Sequence, residues 1–123
     1  MSDRNKIAKG RRGEELAARF LTGLGYEIIE RNFRGEGKEL DLIAKDGKEL
    51  VFVEVKAGSS KTFGAPELRV HARKQQNVST AALSYLSSHP QELDGCRFDV
   101  VAVELPSERI KHYKSAFVLT TEF

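Results

Sequence analysis

Apolar residues recur at intervals of three and four in two stretches of the chain, and each stretch predicts a helix. The first helix is expected over about residues 11–24, where Gly25 follows as a typical C-terminal stop. The second is expected over about residues 72–87, ahead of a loop that contains Pro90 and Gly95. The predicted buried faces are Leu16, Ala17, Phe20, Leu21 and Leu24 in the first helix and Val78, Ala81, Ala82, Tyr85 and Leu86 in the second.

Strands are indicated where apolar residues alternate with polar ones or follow one another directly. The pattern predicts a strand over 26–33, a hairpin over 39–56, a strand over 97–105 and one or two short edge strands within 110–123. The order is α-β-β-β-α-β-β, which predicts an α/β fold in which a mixed sheet is flanked by helices.

The remaining stretches are polar and contain glycine or many charges. The stretch 57–66, between the hairpin and the second helix, is interpreted either as disordered or as a surface that wraps a ligand. Residues 1–10 are interpreted as a flexible basic segment that precedes a single domain over 11–123. A chain of 123 residues can build one substantial core but not comfortably two.

Composition changes this picture only through the distribution of charge. The net charge is +2, but basic residues crowd positions 4–12 and again positions 61–74. Such clusters attract polyanions, although exposed lysines and arginines also serve solubility alone. The chain shows no signal-peptide pattern and no apolar run near the ~20 residues that cross a bilayer, so we expect a cytoplasmic protein without a membrane partner.

The single cysteine, Cys96, excludes an intramolecular disulfide and fits a reducing compartment. Because Cys96 stands at the start of an apolar strand, we interpret it as a core residue rather than a catalytic one.

The predicted hairpin carries ionisable residues within a very apolar sequence, and these are the main candidates for chemistry. With a two-residue turn at Asp46-Gly47, Asp41 would pair across the hairpin with Phe52. Asp41 and Glu54 would then be diagonal neighbours, with their backbones within about 7–8 Å. One face of the hairpin would then be entirely apolar, formed by Leu40, Leu42, Ala44, Val51, Val53 and Val55. The charged residues would gather at the open end of the other face.

Two carboxylates held this close repel each other, and a divalent cation removes the repulsion. Carboxylate and carbonyl oxygens suit Mg²⁺ or Mn²⁺. Lys56, about 7 Å from Glu54 along the strand, can orient a water or neutralise a phosphate, which is the layout for metal-assisted phosphodiester hydrolysis. The alternative is an edge strand whose charges only prevent aggregation.

Several motifs, taken in order, resemble a known family. The hairpin contains an aspartate followed, after twelve intervening residues, by the motif E-x-K, and a helix that bears a glutamate precedes it. This arrangement resembles the PD-(D/E)XK nuclease superfamily. More closely, about residues 10–117 resemble the YraN family of uncharacterised proteins, and archaeal Holliday-junction resolvases are distantly similar. The matching motifs are Gly13-Glu14, Gly25-Tyr26, Arg31-Asn32, Glu39 to Ala44, Phe52 to Lys56, Phe63-Gly64 with Pro66, Lys74-Gln75 and Arg97 to Val101.

The resemblance implies a restriction-endonuclease-like core and a Mg²⁺- or Mn²⁺-dependent endonuclease that hydrolyses DNA, with structure-selective cleavage as one form of that activity. It implies that Asp41, Glu54 and the Val55 carbonyl bind the metal, and that Glu14 and Lys56 complete the catalytic set. The border position of Glu14 on the apolar stripe agrees, although the helix dipole alone also favours an acid in the first turn.

The expected partner is nucleic acid, specifically DNA. The residues expected to contact it are Arg11, Arg12, Lys61, Arg73, Lys74 and Gln75. A solvated first helical turn is the alternative interpretation of Lys74 and Gln75. Related resolvases pair to engage two strands, which makes a homodimer a further expectation. The rival interpretation is a non-catalytic nucleic-acid-binding or adaptor protein that keeps the nuclease fold, because a fold does not by itself establish an activity.

Overall fold

The computed structural model describes residues 3–59, 72–90 and 95–117, which form two helices and one five-stranded sheet. The elements are α1 (Asp3–Gly23), β1 (Glu27–Gly35), β2 (Lys38–Asp46), β3 (Glu49–Gly58), α2 (Ala72–Ser88), β4 (Gly95–Glu104) and β5 (Arg109–Phe117). The predicted α/β class and element order are confirmed. Residues 60–71, with Lys61 and most of the stretch 57–66, and residues 118–123 lie outside the described residues.

The strands lie side by side in chain order, from β1 at one edge to β5 at the other. Strands β1, β2 and β3 pair antiparallel, β3 and β4 pair parallel, and β4 and β5 pair antiparallel. The parallel pair arises because the chain passes through α2 between β3 and β4, and a parallel connection needs such a crossover. No helix among the described residues is long and apolar enough to span a membrane.

The two helices cover opposite faces of the sheet, so the protein has two apolar cores. Both cores contain residues from the central strands, which explains why those strands are apolar on both faces. The α1-side core contains Ala17, Ala18, Leu21, Tyr26, Leu42, Ala44, Val51, Val53, Val101 and Val103. The α2-side core contains Leu40, Ile43, Leu50, Phe52, Val78, Ala81, Ala82, Tyr85 and Phe98.

Helix α1 begins at Asp3, well before the predicted start near residue 11. The helix extends beyond the predicted apolar stripe because Ala, Lys and Arg have high helix propensity. It ends in a Schellman motif, in which the amide of Tyr26 donates to the carbonyl of Leu21 at 3.0 Å and Gly25 has φ +96°. Leu24 lies within this turn and is exposed, contrary to its predicted place on the buried face.

The β2–β3 turn is formed by Gly47-Lys48, one residue later than predicted, and its first residue has φ +63°. Glycine is favoured at this position because it adopts positive φ without steric cost. Leu42 is therefore opposite Val53, and the β2–β3 pairing ends there. Moving the turn by one residue shifts the pairing of the two strands by two residues. The side chains therefore stay on their predicted faces, and Asp41 comes to the position across from Glu54.

Two smaller expectations are wrong. Leu40 packs in the α2-side core instead of joining Leu42 and Ala44, because β2 leaves its regular pairing with β3 beyond Leu42. Cys96 is exposed, because it stands at the second position of β4, before the strand enters the core.

Candidate functional site

Glu54 is a buried carboxyl group in the middle of the sheet, with only 6% of its surface exposed. It shares the α2-side face of β3 with Phe52, two residues earlier. Its Oε1 lies 3.5 Å from Nζ of Lys74, in the first turn of α2. Its Oε2 is buried and has no hydrogen-bond partner among the residues that the structure describes. An unsatisfied buried carboxylate oxygen is costly, and this one calls for a cation or a proton.

Asp41 lies beside Glu54 at the end of the β2–β3 pairing. Its Oδ2 accepts a 2.7 Å hydrogen bond from the Val55 amide, so the Asp41 side chain continues the contact between the two strands after their backbone pairing has ended. Burial, and then the charge of Asp41, raises the pKa of Glu54 to about 8. The negative charge of Asp41 therefore opposes ionisation of Glu54, as expected for neighbouring carboxyl groups.

Glu14 approaches the same end of β3 from α1. The preceding residue, Gly13, packs so closely on β3 that an added Cβ would lie 2.7 Å from Cβ of Ala57. Burial raises the pKa of Glu14, and the charge of Asp41 raises it further. Asp41 is thus electrostatically coupled to both other predicted carboxylates, and the structure brings all three to one end of β3.

Asn32 is a site neighbour to which sequence reasoning assigned no role. Its side chain hydrogen-bonds to the Glu14 carboxylate and opposes the rise in the pKa of Glu14. Its backbone has φ +53°, inside strand β1. Asparagine tolerates this conformation better than most residues, so an asparagine within a predicted strand was the available signal.

The other two predicted active-site residues follow Glu54 on β3. Val55 is half-buried and contributes its amide to Asp41, while a metal-binding role of its carbonyl stays a prediction. Lys56 is half-buried and lies two residues after Glu54, on the same face of the strand.

The carboxyl groups do not form a ready-made metal cage. Among the described residues, no three His, Cys, Asp or Glu side chains are close enough together to hold a metal ion. The available set is the Asp41–Glu54 pair, supplemented by backbone oxygens and water. This oxygen-only set fits Mg²⁺ or Mn²⁺, which retain several waters when bound by one or two carboxylates.

Basic side chains flank the carboxyl groups on two sides. Arg11 is exposed on α1 and its charge lowers the pKa of Glu14, which places it near the carboxylates. On α2, Arg73 and Lys74 are exposed and Gln75 is half-buried. Arg12 instead forms an ion pair with Glu108, which ties α1 to the β4–β5 turn.

A second polar cluster lies around the fully buried Asp99, to which no catalytic role was assigned from the sequence. Asp99 Oδ1 accepts hydrogen bonds from Arg97 Nε at 3.0 Å and from the Ser115 amide at 3.1 Å. Its Oδ2 lies 2.7 Å from Nε2 of His112. Arg97 Nη1 also donates a 2.5 Å hydrogen bond to Oε1 of Glu49, the first residue of β3. This cluster joins β3, β4 and β5, and its groups satisfy one another, so it is a structural network.

Comparison with known proteins places these residues in a family. The profile of "Uncharacterised protein family UPF0102" matches residues 13–103, a range that contains every described site residue except Arg11 and Arg12. The chain is 47% identical to a UPF0102 protein of Geobacter sulfurreducens over 121 residues, which cover 96% of this chain and 94% of the relative. It is 45% identical over 122 residues to one of Geobacter metallireducens, covering 97% and 98%, and 42% identical over 117 residues to one of Frankia casuarinae, covering 93% and 99%.

Proposed function

The chain belongs to the UPF0102 protein family, and from the site that it carries we propose that it is a Mg²⁺- or Mn²⁺-dependent endonuclease that hydrolyses phosphodiester bonds in DNA, within the cytoplasm. The observation that carries this proposal is the buried Glu54 carboxyl group beside Asp41, one oxygen of which has no partner among the described residues. A structural role alone would not account for a buried carboxyl group that lies beside a second one and has an oxygen without a partner among the described residues.

Asp41 and Glu54 would hold the metal together with a backbone oxygen, for which the Val55 carbonyl is the candidate. When bound, the metal would polarise the scissile phosphate and stabilise the charge that develops on it. A divalent cation held by both Asp41 and Glu54 would also account for two carboxyl groups on adjacent strands, because it would turn their mutual repulsion into attraction for a shared ion.

Lys56 and Glu14 would complete the chemistry from either side. The Lys56 ammonium, about 7 Å along the strand from Glu54, would orient the attacking water and stabilise the developing negative charge. The raised pKa of Glu14 brings its carboxylate nearer to the range in which a group can accept a proton at neutral pH.

The flanking basic residues would bind the DNA backbone. Arg11 on α1 and the first turn of α2, with Arg73 and Lys74, lie on opposite sides of the carboxyl groups. Contacts of this kind position a duplex through its phosphates without reading its sequence. We therefore expect selection for DNA structure rather than for a base sequence.

The proposal is tested by incubating purified protein with linear, single-stranded, flap and four-way-junction DNA, in Mg²⁺ or Mn²⁺ and in EDTA. We expect cleavage that requires the metal and disappears in Asp41→Asn and in Lys56→Ala. Lys48→Ala, which removes an exposed lysine from the β2–β3 turn of the same hairpin, is the matched control and should retain activity. DNA binding that survives the Asp41 and Lys56 substitutions, without cleavage by any of the proteins, would instead identify a non-catalytic DNA-binding protein.

A further inference from the structure

Lys74 is placed where a cation is needed. Its Nζ lies 3.5 Å from Oε1 of Glu54, and Glu54 is buried whereas the Lys74 side chain is 46% exposed. The buried carboxylate is held in place by the sheet, while the lysine reaches it from the surface on a flexible chain of four carbons. Of the two partners, Lys74 is the one that can move away.

The position of Lys74 in its helix is unfavourable without an anion. The first turn of α2 contains Arg73 and Lys74 and no acidic residue. The N-terminus of a helix carries a partial positive charge, so cations there are destabilised. The contact with Glu54 compensates for this, and the second Glu54 oxygen, Oε2, has no partner within the described part of the chain.

On the basis of the proposed metal site, we infer that Lys74 is an internal counterion which occupies the cation position of Glu54 in the metal-free protein and which Mg²⁺ must displace. The ammonium and the metal compete for one carboxylate, because two cations that close to each other repel strongly in a partly buried site. Lys74 therefore sets the metal affinity. Once displaced, its ammonium lies at the mouth of the site, where it is available to a phosphate.

The first test is a calorimetric Mg²⁺ titration of protein freed of metal by EDTA. It is carried out at pH 9, above the pKa of about 8 of Glu54, so that this carboxyl group is ionised before the metal is added. We expect Lys74→Met to bind Mg²⁺ roughly tenfold more tightly than wild type, because one unit charge at the site is removed. Arg73→Met removes the same charge from the neighbouring position and should change the affinity less than about twofold, since exposed charges are screened. A Lys74→Met protein that binds no more tightly than Arg73→Met would overturn the inference.

The second test uses the wild-type protein and does not depend on a variant. Acetylation of lysines with limiting reagent is followed by mass spectrometry, with exposed Lys48 as the internal reference. Saturating Mg²⁺ should raise the labelling of Lys74 relative to Lys48 about two- to threefold, and should not do so in Asp41→Asn. Unchanged labelling of Lys74 in protein that calorimetry shows to be metal-bound would overturn the inference and leave the proposed function standing. Absence of Mg²⁺ and Mn²⁺ binding by wild type and Lys74→Met alike would overturn both.

Discussion

The Val55 amide donates a 2.7 Å hydrogen bond to Oδ2 of Asp41, so one side chain both closes the end of the β2–β3 pairing and faces the buried Glu54 carboxyl. The two roles depend on different properties of Asp41. Closing the strand pair requires an oxygen acceptor, whereas holding a cation requires the negative charge. Substitutions can therefore separate them.

Asp41→Asn keeps an oxygen that can accept from Val55, whereas Asp41→Ala leaves that amide without an acceptor. We expect the alanine variant to lose about 1–2 kcal/mol more free energy of unfolding than the asparagine variant, the cost of one unsatisfied partly buried amide. Both should lose metal-dependent cleavage. Urea denaturation in EDTA measures the difference, and equal stability of the two variants would show that the Val55 contact contributes nothing.

The pKa of Glu54, raised to about 8, predicts how the stability of the metal-free protein depends on pH. Between the ordinary glutamate pKa and about 8, the folded state holds a proton that the unfolded state has released. The contribution of Glu54 to the free energy of unfolding should therefore be largest below about pH 5 and fall by a few kcal/mol as pH rises to 8.

Glu54→Gln should remove most of this pH dependence, because the amide has no proton to lose. Glu27→Gln, an exposed substitution on β1, should retain the wild-type slope. Thermal unfolding at several pH values between 5 and 8, with EDTA present, distinguishes them. A Glu54→Gln protein with the wild-type slope would contradict the assignment of the effect to Glu54.

Arg97 holds the network around Asp99, and its loss should destabilise the fold. Arg97→Met would leave the fully buried Asp99 without its guanidinium partner, at an expected cost of about 3–5 kcal/mol. Arg19→Met breaks an exposed pair with Glu15, which solvent screens, and should leave the stability almost unchanged. Chemical denaturation compares the two, and similar losses would mean that the buried network is not what stabilises this end of the sheet.

Two glycines of α1 should respond in opposite ways to the same substitution. A Cβ at Gly13 would lie 2.7 Å from Cβ of Ala57, so Gly13→Ala should force α1 away from β3 at a cost of about 1–3 kcal/mol. A Cβ at Gly10 would meet no atom of the described residues within 4 Å, so Gly10→Ala should stabilise the helix by about 0.5–1 kcal/mol. Melting temperatures that move in the same direction would contradict the close packing at Gly13.

Much of the fold follows from local patterns, because helix and strand periods are properties of neighbouring residues. A second helix over about residues 72–87 and its buried face were predicted from spacing alone, and the structure confirms them. The hairpin turn was displaced by one residue because Gly47 fits a two-residue turn as either its second or its first member. Both registers place the same side chains on the same faces of the sheet, so the apolar pattern of the hairpin cannot distinguish them.

The sequence by itself determined the α/β order, the two-helix, one-sheet composition and the concentration of Asp41, Glu54 and Lys56 on one hairpin. Only the tertiary structure decided that Lys74 contacts Glu54, that Asn32 contacts Glu14, and that Asp99 lies at the centre of a buried network. These residues are distant in the chain or on different elements, and no periodicity relates them. Their contacts depend on where α1 and α2 pack against the sheet, which is set by the summed burial of both cores rather than by any one motif.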